Sequence, residues 1–250
     1  MKINKLIYLV GSPRSGSTLV YNSLCSSKLF NPSLPENHLI PNFVKYFSQQ
    51  LKRNTKEKNL IFDSDEDTLN YFRDCINLYF NKISKKHNVN KLALKSILFS
   101  SEIDVMNILF PDIKYIMIMR DPRDIITSML DISTKQITRG IVAQYPRNMK
   151  LLSDFINQKY KLLIDKKKID FIKKAVHVIK YENFISDYKN ILNELMIKLN
   201  LDYTFSKNHN YWDNSLNLNL SEKNLYKSNL WGKPISNQKI GNYKNILNTD

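Results

Sequence analysis

Arg14, Ser15, Gly16, Ser17 and Thr18 stand where a chain can hold a phosphate. The apolar run Leu6-Ile7-Tyr8-Leu9-Val10 stops at Gly11. The loop Ser12-Pro13-Arg14-Ser15-Gly16 follows, and an amphipathic pattern begins near Ser17. A strand, a turn and a helix N-terminus in that order bring backbone amides and the positive end of the helix dipole together, which favours an anion. The stretch almost spells G-x-x-x-x-G-K-[ST], but Ser17 occupies the lysine position. Arg14, three residues earlier, is the only cation in the loop. Without that lysine the loop is poorly equipped for γ-phosphoryl transfer.

A second segment carries a matching signal. Ile113 to Met119 is a continuous apolar strand, and Arg120-Asp121-Pro122-Arg123-Asp124 follows at once. Asp121 suits an N-cap and Pro122 a first helical residue. Arg120 therefore lies at the carboxyl end of a strand, where open α/β sheets bind ligands. Ser128 lies two turns into the next helix. Together with Ser15-Gly16-Ser17-Thr18, this pattern resembles the PAPS-dependent sulfotransferase family. A third element, Val178 to Phe184, resembles that family's strand ending in Y-E-D-L. The resemblance runs from about Lys5 to Tyr243 and is carried by short motifs.

The resemblance implies a donor, 3′-phosphoadenosine 5′-phosphosulfate (PAPS), and a product, PAP. It implies a P-loop-like three-layer α/β fold with a central, mostly parallel sheet flanked by helices. It implies that Arg14, Ser15, Gly16, Ser17 and Thr18 hold the 5′-phosphosulfate. Arg120 and Ser128, eight residues apart, would hold the 3′-phosphate, and Tyr181 would lie near the adenine. Ser236 to Tyr243 resembles the loop that closes over the donor. It makes Lys239 and the Gly241 backbone candidate 3′-phosphate contacts, and Ser228 or Ser236 candidate donors to the sulfuryl group.

Sulfuryl transfer is an in-line displacement. It needs a base for the acceptor hydroxyl and cations where charge builds. Arg14 can supply one such cation from the loop, or it can be a structural contact to a carbonyl. Lys95 matches the family lysine that follows the second strand and assists the leaving group; alternatively it simply ends a strand. The cytosolic small-molecule branch has a His two residues after that Lys, where this chain has Ile97. The tyrosylprotein branch uses a Glu before a helix reading E-T-R-V-I-P. Here Glu36-Asn37-His38-Leu39-Ile40-Pro41 echoes it. Glu36 is the expected base, with His38 the alternative. Glu36 can equally be a helix N-terminal carboxylate stabilised by the dipole.

These residues need elements to hold them. The patterns predict a strand at Leu6 to Val10 and a helix from Ser17 to about Ser26. Leu39, Ile40, Phe43, Val44, Phe47 and Leu51 recur at helical spacing. Asp63 or Ser64 can cap a longer helix whose stripe is Leu69, Phe72, Ile76, Tyr79, Phe80 and Ile83. Lys91 to Lys95 is a short strand, Ser101 caps a helix through Leu109, Ile141 to Asp165 is mostly helical, and Ala175 to Lys180 is the last clear strand. Such alternation predicts a parallel sheet. The expected organisation is one domain over 1–250, with a helical insert at about 36–90 and an irregular C-terminal lid at about 200–250.

Composition sets limits. A length of 250 residues with 42% hydrophobic content suffices for one sizeable core. Cys25 and Cys75 fall in helical patterns and suggest packing rather than a disulfide. Four scattered histidines predict no metal site. No apolar run approaches membrane-spanning length. Met1 to Val10 is too short for a signal peptide, so a soluble, cytoplasmic protein is expected. The net charge of +15 fits either A/T-rich codon usage, with Lys, Asn and Ile abundant together, or a polyanionic ligand. Lys166 to Lys168 and Lys173-Lys174 are expected on solvated faces. Two rival readings are a P-loop-type kinase and a basic nucleic-acid-binding protein. Ser17 and the lack of an evident Walker B aspartate weigh against the first. Aromatics on core stripes rather than a basic platform weigh against the second. The acceptor is a hydroxyl, tyrosyl, peptide or saccharide; its identity and the oligomeric state stay open.

Overall fold

A computed structural model describes residues 3–52, 60–97, 102–165, 169–206, 209–213 and 233–246. Four parallel strands form one sheet: β1 (Lys5–Gly11), β2 (Lys91–Lys95), β3 (Lys114–Met119) and β4 (Val176–Lys180), in spatial order β2-β1-β3-β4. Eight α-helices surround it among the described residues. They are α1 (Ser17–Cys25), α2 (Leu39–Leu51), α3 (Asp65–His87), α4 (Ile103–Leu109), α5 (Pro122–Ile137), α6 (Met149–Ile164), α7 (Ile169–Ala175) and α8 (Tyr181–Lys198).

The period of two along β1 and β3 creates the layers. Ile7, Leu9, Ile116 and Ile118 face one way and join Val20, Leu24, Phe184 and Leu192 of α1 and α8. Tyr8, Val10, Tyr115 and Met117 face the other way and join Val44, Phe47, Phe72 and Phe80 of α2 and α3. A third cluster packs Ile125, Met129 and Ile132 of α5 against Tyr145, Leu152 and Ile156. With both faces covered, the inner strands read as unbroken apolar runs, as buried parallel strands do.

Ser64, not Asp63, caps α3: its Oγ accepts the Asp67 N–H at 3.0 Å. Acidic Asp65, Glu66 and Asp67 open that helix and Lys85, Lys86 and His87 close it, matching its dipole. The expected start of helix at Ile141 is corrected: α6 begins at Met149. Gly140 takes φ 69°, Pro146 disfavours helix at Tyr145, and Asn148 Oδ1 accepts the Leu151 N–H at 3.0 Å. Ala175 ends α7 rather than opening β4, and Ile113 precedes β3. Ser101, Ser228 and Lys166 to Lys168 lie outside the described residues; Lys173 and Lys174 are exposed. The described stretches between 200 and 236 contain no helix or strand. Cys25 is buried, Cys75 half-buried, and both are free thiols. No described helix is long and apolar enough to cross a membrane.

Candidate active site

The loop after β1 is fixed from below. Gly11 takes φ 143°, and a Cβ there would stand 2.7 Å from the Ile118 carbonyl oxygen. Ser12 donates its N–H to the Tyr160 hydroxyl at 3.4 Å, and that hydroxyl donates to Ile118 O at 2.9 Å. Burial pushes the Tyr160 phenol up to about 12, so it stays a neutral donor. Arg14 adopts a left-handed φ of 67°. Gly16, at φ 92°, begins α1 with no room for a side chain: a Cβ would lie 2.3 Å from Tyr181 Cδ2.

Arg14 and Arg120 form the floor. The Arg14 Nε donates to Ser128 Oγ at 3.1 Å. Arg120 donates to the Arg14 carbonyl at 3.1 Å and to the Lys239 carbonyl, and its guanidinium lies 4.6 Å from the Tyr181 ring centroid. Tyr181 thus meets both Gly16 and Arg120. Burial lowers the Arg14 pKa, and Arg120 adds to the lowering. Asp121 caps α5 by accepting the Arg123 N–H at 2.9 Å, while its own N–H donates to Glu182 Oε1 at 2.8 Å. The Asp-Pro start predicted from sequence is therefore present, and Glu182 of the Y-E pair braces it.

Over these residues lies a cavity of about 460 Å³. Arg14, Gly16, Ser17, Thr18, Arg120, Ser128 and Tyr181 line it, and Lys233, Ser236 and Lys239 close it from the C-terminal segment. Five cations (Arg14, Arg120, Lys135, Lys233, Lys239) face two carboxylates (Asp124, Asp131). Two buried polar atoms in this lining, Arg120 Nε and Ser236 Oγ, have no hydrogen-bond partner among the described residues. Buried polar groups are normally satisfied, so such orphans mark places where a ligand can bind.

Lys95 and Glu36 lie at the edge of this cavity rather than in its lining. Lys95 Nζ donates to Thr18 Oγ1 at 2.9 Å, and Thr18 does line the cavity. Glu36 Oε2 is 4.0 Å from Lys95 Nζ, and Glu36 Oε1 accepts the Ile97 N–H at 2.7 Å. Burial lowers the Lys95 pKa; Glu36 opposes the shift and Arg14 adds to it. His38 is exposed.

Sequence reasoning missed two residues. Asn37 fastens Glu36 to the sheet edge: its N–H donates to Lys95 O at 2.8 Å, its Oδ1 accepts the Ile40 N–H at 3.0 Å, and its Nδ2 donates to Tyr79 at 2.8 Å. Asn before a helix is a capping signal and could have been found. Asp124 accepts the Gly241 and Tyr243 amides, and nothing local announces that. The Gly241 N–H, expected near a phosphate, is engaged by Asp124 at 2.8 Å.

Comparison with known proteins places this geometry. The model of a family described as the sulfotransferase family matches residues 7–205. The fold is similar to the sulfotransferase domain of the olefin synthase of Synechococcus PCC 7002, with a TM-score of 0.62 and 17% identity, covering 98% of this chain and 89% of that one. It is also similar to the sulfotransferase domain from the curacin biosynthetic pathway, with a TM-score of 0.52 and 20% identity, covering 81% and 76%. No curated protein sequence matches the chain.

Proposed function

The chain belongs to the sulfotransferase family, and from that premise we propose that it carries a sulfuryl group from PAPS to the hydroxyl of a tyrosyl, peptide or carbohydrate acceptor. One observation carries the reading: the cavity combines five cations against two carboxylates with two orphaned polar atoms. A nucleotide bearing a 3′-phosphate and a 5′-phosphosulfate supplies the missing negative charge and the missing acceptors. Arg120 and Ser128 take the 3′-phosphate. Ser15, Gly16, Ser17 and Thr18 take the 5′ end at the N-terminus of α1. Tyr181 lies near the adenine, and Lys239 approaches from the closing segment.

The acceptor oxygen attacks sulfur as the bond from sulfur to the bridging oxygen breaks, and PAP departs. The proton passes to Glu36 Oε2, since Oε1 already holds the Ile97 N–H at 2.7 Å. Lys95, one hydrogen bond from the cavity through Thr18, and Arg14 meet the charge that develops on the leaving oxygen. Glu36 is favoured over His38 because the histidine is exposed and Glu36 stands beside Lys95.

Calorimetry with PAP and AMP tests the donor. A charge-assisted contact to the 3′-phosphate contributes about 1.5–3 kcal/mol, so PAP should bind roughly ten- to hundredfold more tightly. Equal affinities overturn the assignment. An acceptor screen with labelled PAPS then identifies the hydroxyl.

A further inference from the structure

Asp124 has no part in the transfer just described, yet it is among the least exposed charges of the chain, with its side chain 1% exposed. A buried carboxylate persists only when its oxygens are matched. It sits in the first turn of α5, where the helix dipole favours it, but its hydrogen bonds go elsewhere. Oδ2 accepts the Gly241 N–H at 2.8 Å and Oδ1 accepts the Tyr243 N–H at 3.1 Å. Both donors lie more than a hundred residues further along the chain. The left-handed Gly241, at φ 71°, opens the 3₁₀ turn Asn242–Asn245 and lets both amides turn to one carboxylate.

The neighbours of Asp124 reinforce the grip. Arg120 lies 3.7 Å from Asp124 Oδ2 and also holds the Lys239 carbonyl. The Arg123 guanidinium stacks 3.9 Å from the Tyr243 ring centroid. One helix start thus grasps 239–243 at several points. Elsewhere the segment is held by the half-buried Ile235, packed against the core, and by Trp212 Nε1–H, which donates to the Lys233 carbonyl at 2.8 Å; none of residues 233–246 is fully buried. With so little apolar burial, the polar clamp at 239–243 supplies much of the hold.

We infer that Asp124 is a positioning residue that latches segment 233–246 onto the cavity, so that nucleotide affinity depends on a carboxylate acting through the segment it holds. This rests on the cavity being the PAPS site. It explains why an anion stands in a site for a polyanion: two amides and Arg120 neutralise it. It also explains why the Gly241 N–H is turned away from the cavity.

Two variants break the latch from opposite sides. Asp124→Asn replaces one accepting oxygen with an amide that confronts an N–H. Tyr243→Pro removes the second donor, together with the ring that stacks on Arg123, without altering the sequence of α5, and proline is tolerated in a first helical turn. Each should weaken PAP binding about ten- to hundredfold, the loss of one or two charge-assisted hydrogen bonds. Hydrogen exchange should accelerate at the amides of 239–242 in both variants and stay slow in β1 and β3. Parental PAP affinity in both variants, or unchanged exchange at 239–242, overturns the latch. Loss of protection across β1 and β3 in both also overturns it, by making Asp124 a residue of the fold. If the parent itself binds no PAP, the functional reading fails, and the exchange measurement still decides the latch.

Discussion

The cavity has two walls built by different means. One is the loop between β1 and α1. It rises from a strand whose Ile7, Tyr8, Leu9 and Val10 are wholly buried, and it is pinned by Tyr160 and by the Tyr181 ring against Gly16. The other is segment 233–246, whose side chains are at most half-buried; it is held by hydrogen bonds, a stacked arginine and Ile235 against the core. The first wall inherits its shape from the core, so a change there acts through stability. The second is docked, so a change there acts through affinity. Residues outside both walls and outside the α5 floor between them, such as Glu36, should act chiefly on turnover.

The largest expected effect lies outside both walls. Glu36→Gln keeps the shape and removes the basicity. It should cut turnover on an alkyl hydroxyl about a hundred- to ten-thousandfold while PAP affinity stays at the parental value. The loss should shrink with nitrophenols, which barely need a base. Near-parental turnover on the alkyl hydroxyl removes Glu36 from the mechanism and shifts attention to His38.

Next comes Ser128→Ala, which tests the floor between the walls. It removes the partner of Arg14 Nε and, on the proposed reading, one contact to the 3′-phosphate. PAP should weaken by about 1.5–3 kcal/mol, with AMP unchanged. A parallel loss for both nucleotides would place Ser128 at the 5′ end.

Gly16→Ala strikes the core-built wall. The added methyl meets the Tyr181 ring at 2.3 Å on a backbone of φ 92°. Overpacking of this kind costs about 1–3 kcal/mol, read as a lower denaturation midpoint. In a Tyr181→Ala background the overlap is gone and only the backbone strain should remain. An equal cost in both backgrounds would show that the ring is not what excludes a side chain.

The smallest effect is a shift of pH profile. Burial holds the Lys95 pKa below its ordinary value of 10.5. Lys95 therefore loses its proton at lower pH than a free lysine, and kcat/KM should fall on an alkaline limb below 10.5. For stability the sign runs the other way. Between the lowered folded value and 10.5 the unfolded chain binds the extra proton, so this residue's contribution to stability rises with pH. Lys95→Arg should abolish the limb; a limb that persists belongs to another group.

The core-built wall was legible in local signals; the docked wall was anticipated only through the resemblance of Ser236 to Tyr243 to a closing loop, and what holds it was not. Apolar runs ending at Gly11 and Met119, with Ser17 and Asp-Pro starting the next helices, are local signals, and the structure places them as expected. The resemblance implied that Arg120 and Ser128 serve one site, and both line the cavity. That Ser128 would receive Arg14, and that Tyr181 would meet both Gly16 and Arg120, was not readable, because those contacts join distant parts of the chain. Asp124 is the clearest case. In sequence it is one more acid in the first turn of a helix, and only the tertiary fold brings two far-off amides to it. The late start of α6 was a readable signal passed over, since Gly140, Pro146 and Asn148 all stand before Met149.

The strand order has a consequence for synthesis. β1 is made first and ends up inside the sheet, yet residues 5–9 pair with 91–95 and residues 7–11 with 114–118. At typical elongation rates of about 5–20 residues per second, the most apolar strand of the chain waits roughly 4 to 20 s for its first partner. It must then close loops of that length before any ladder forms, which slows folding. During that interval Leu6 to Val10 offers bare strand edges to any other nascent chain. The parallel arrangement that sets the loop after β1 at the sheet's carboxyl edge thus leaves β1 open to mispairing until its partners are made.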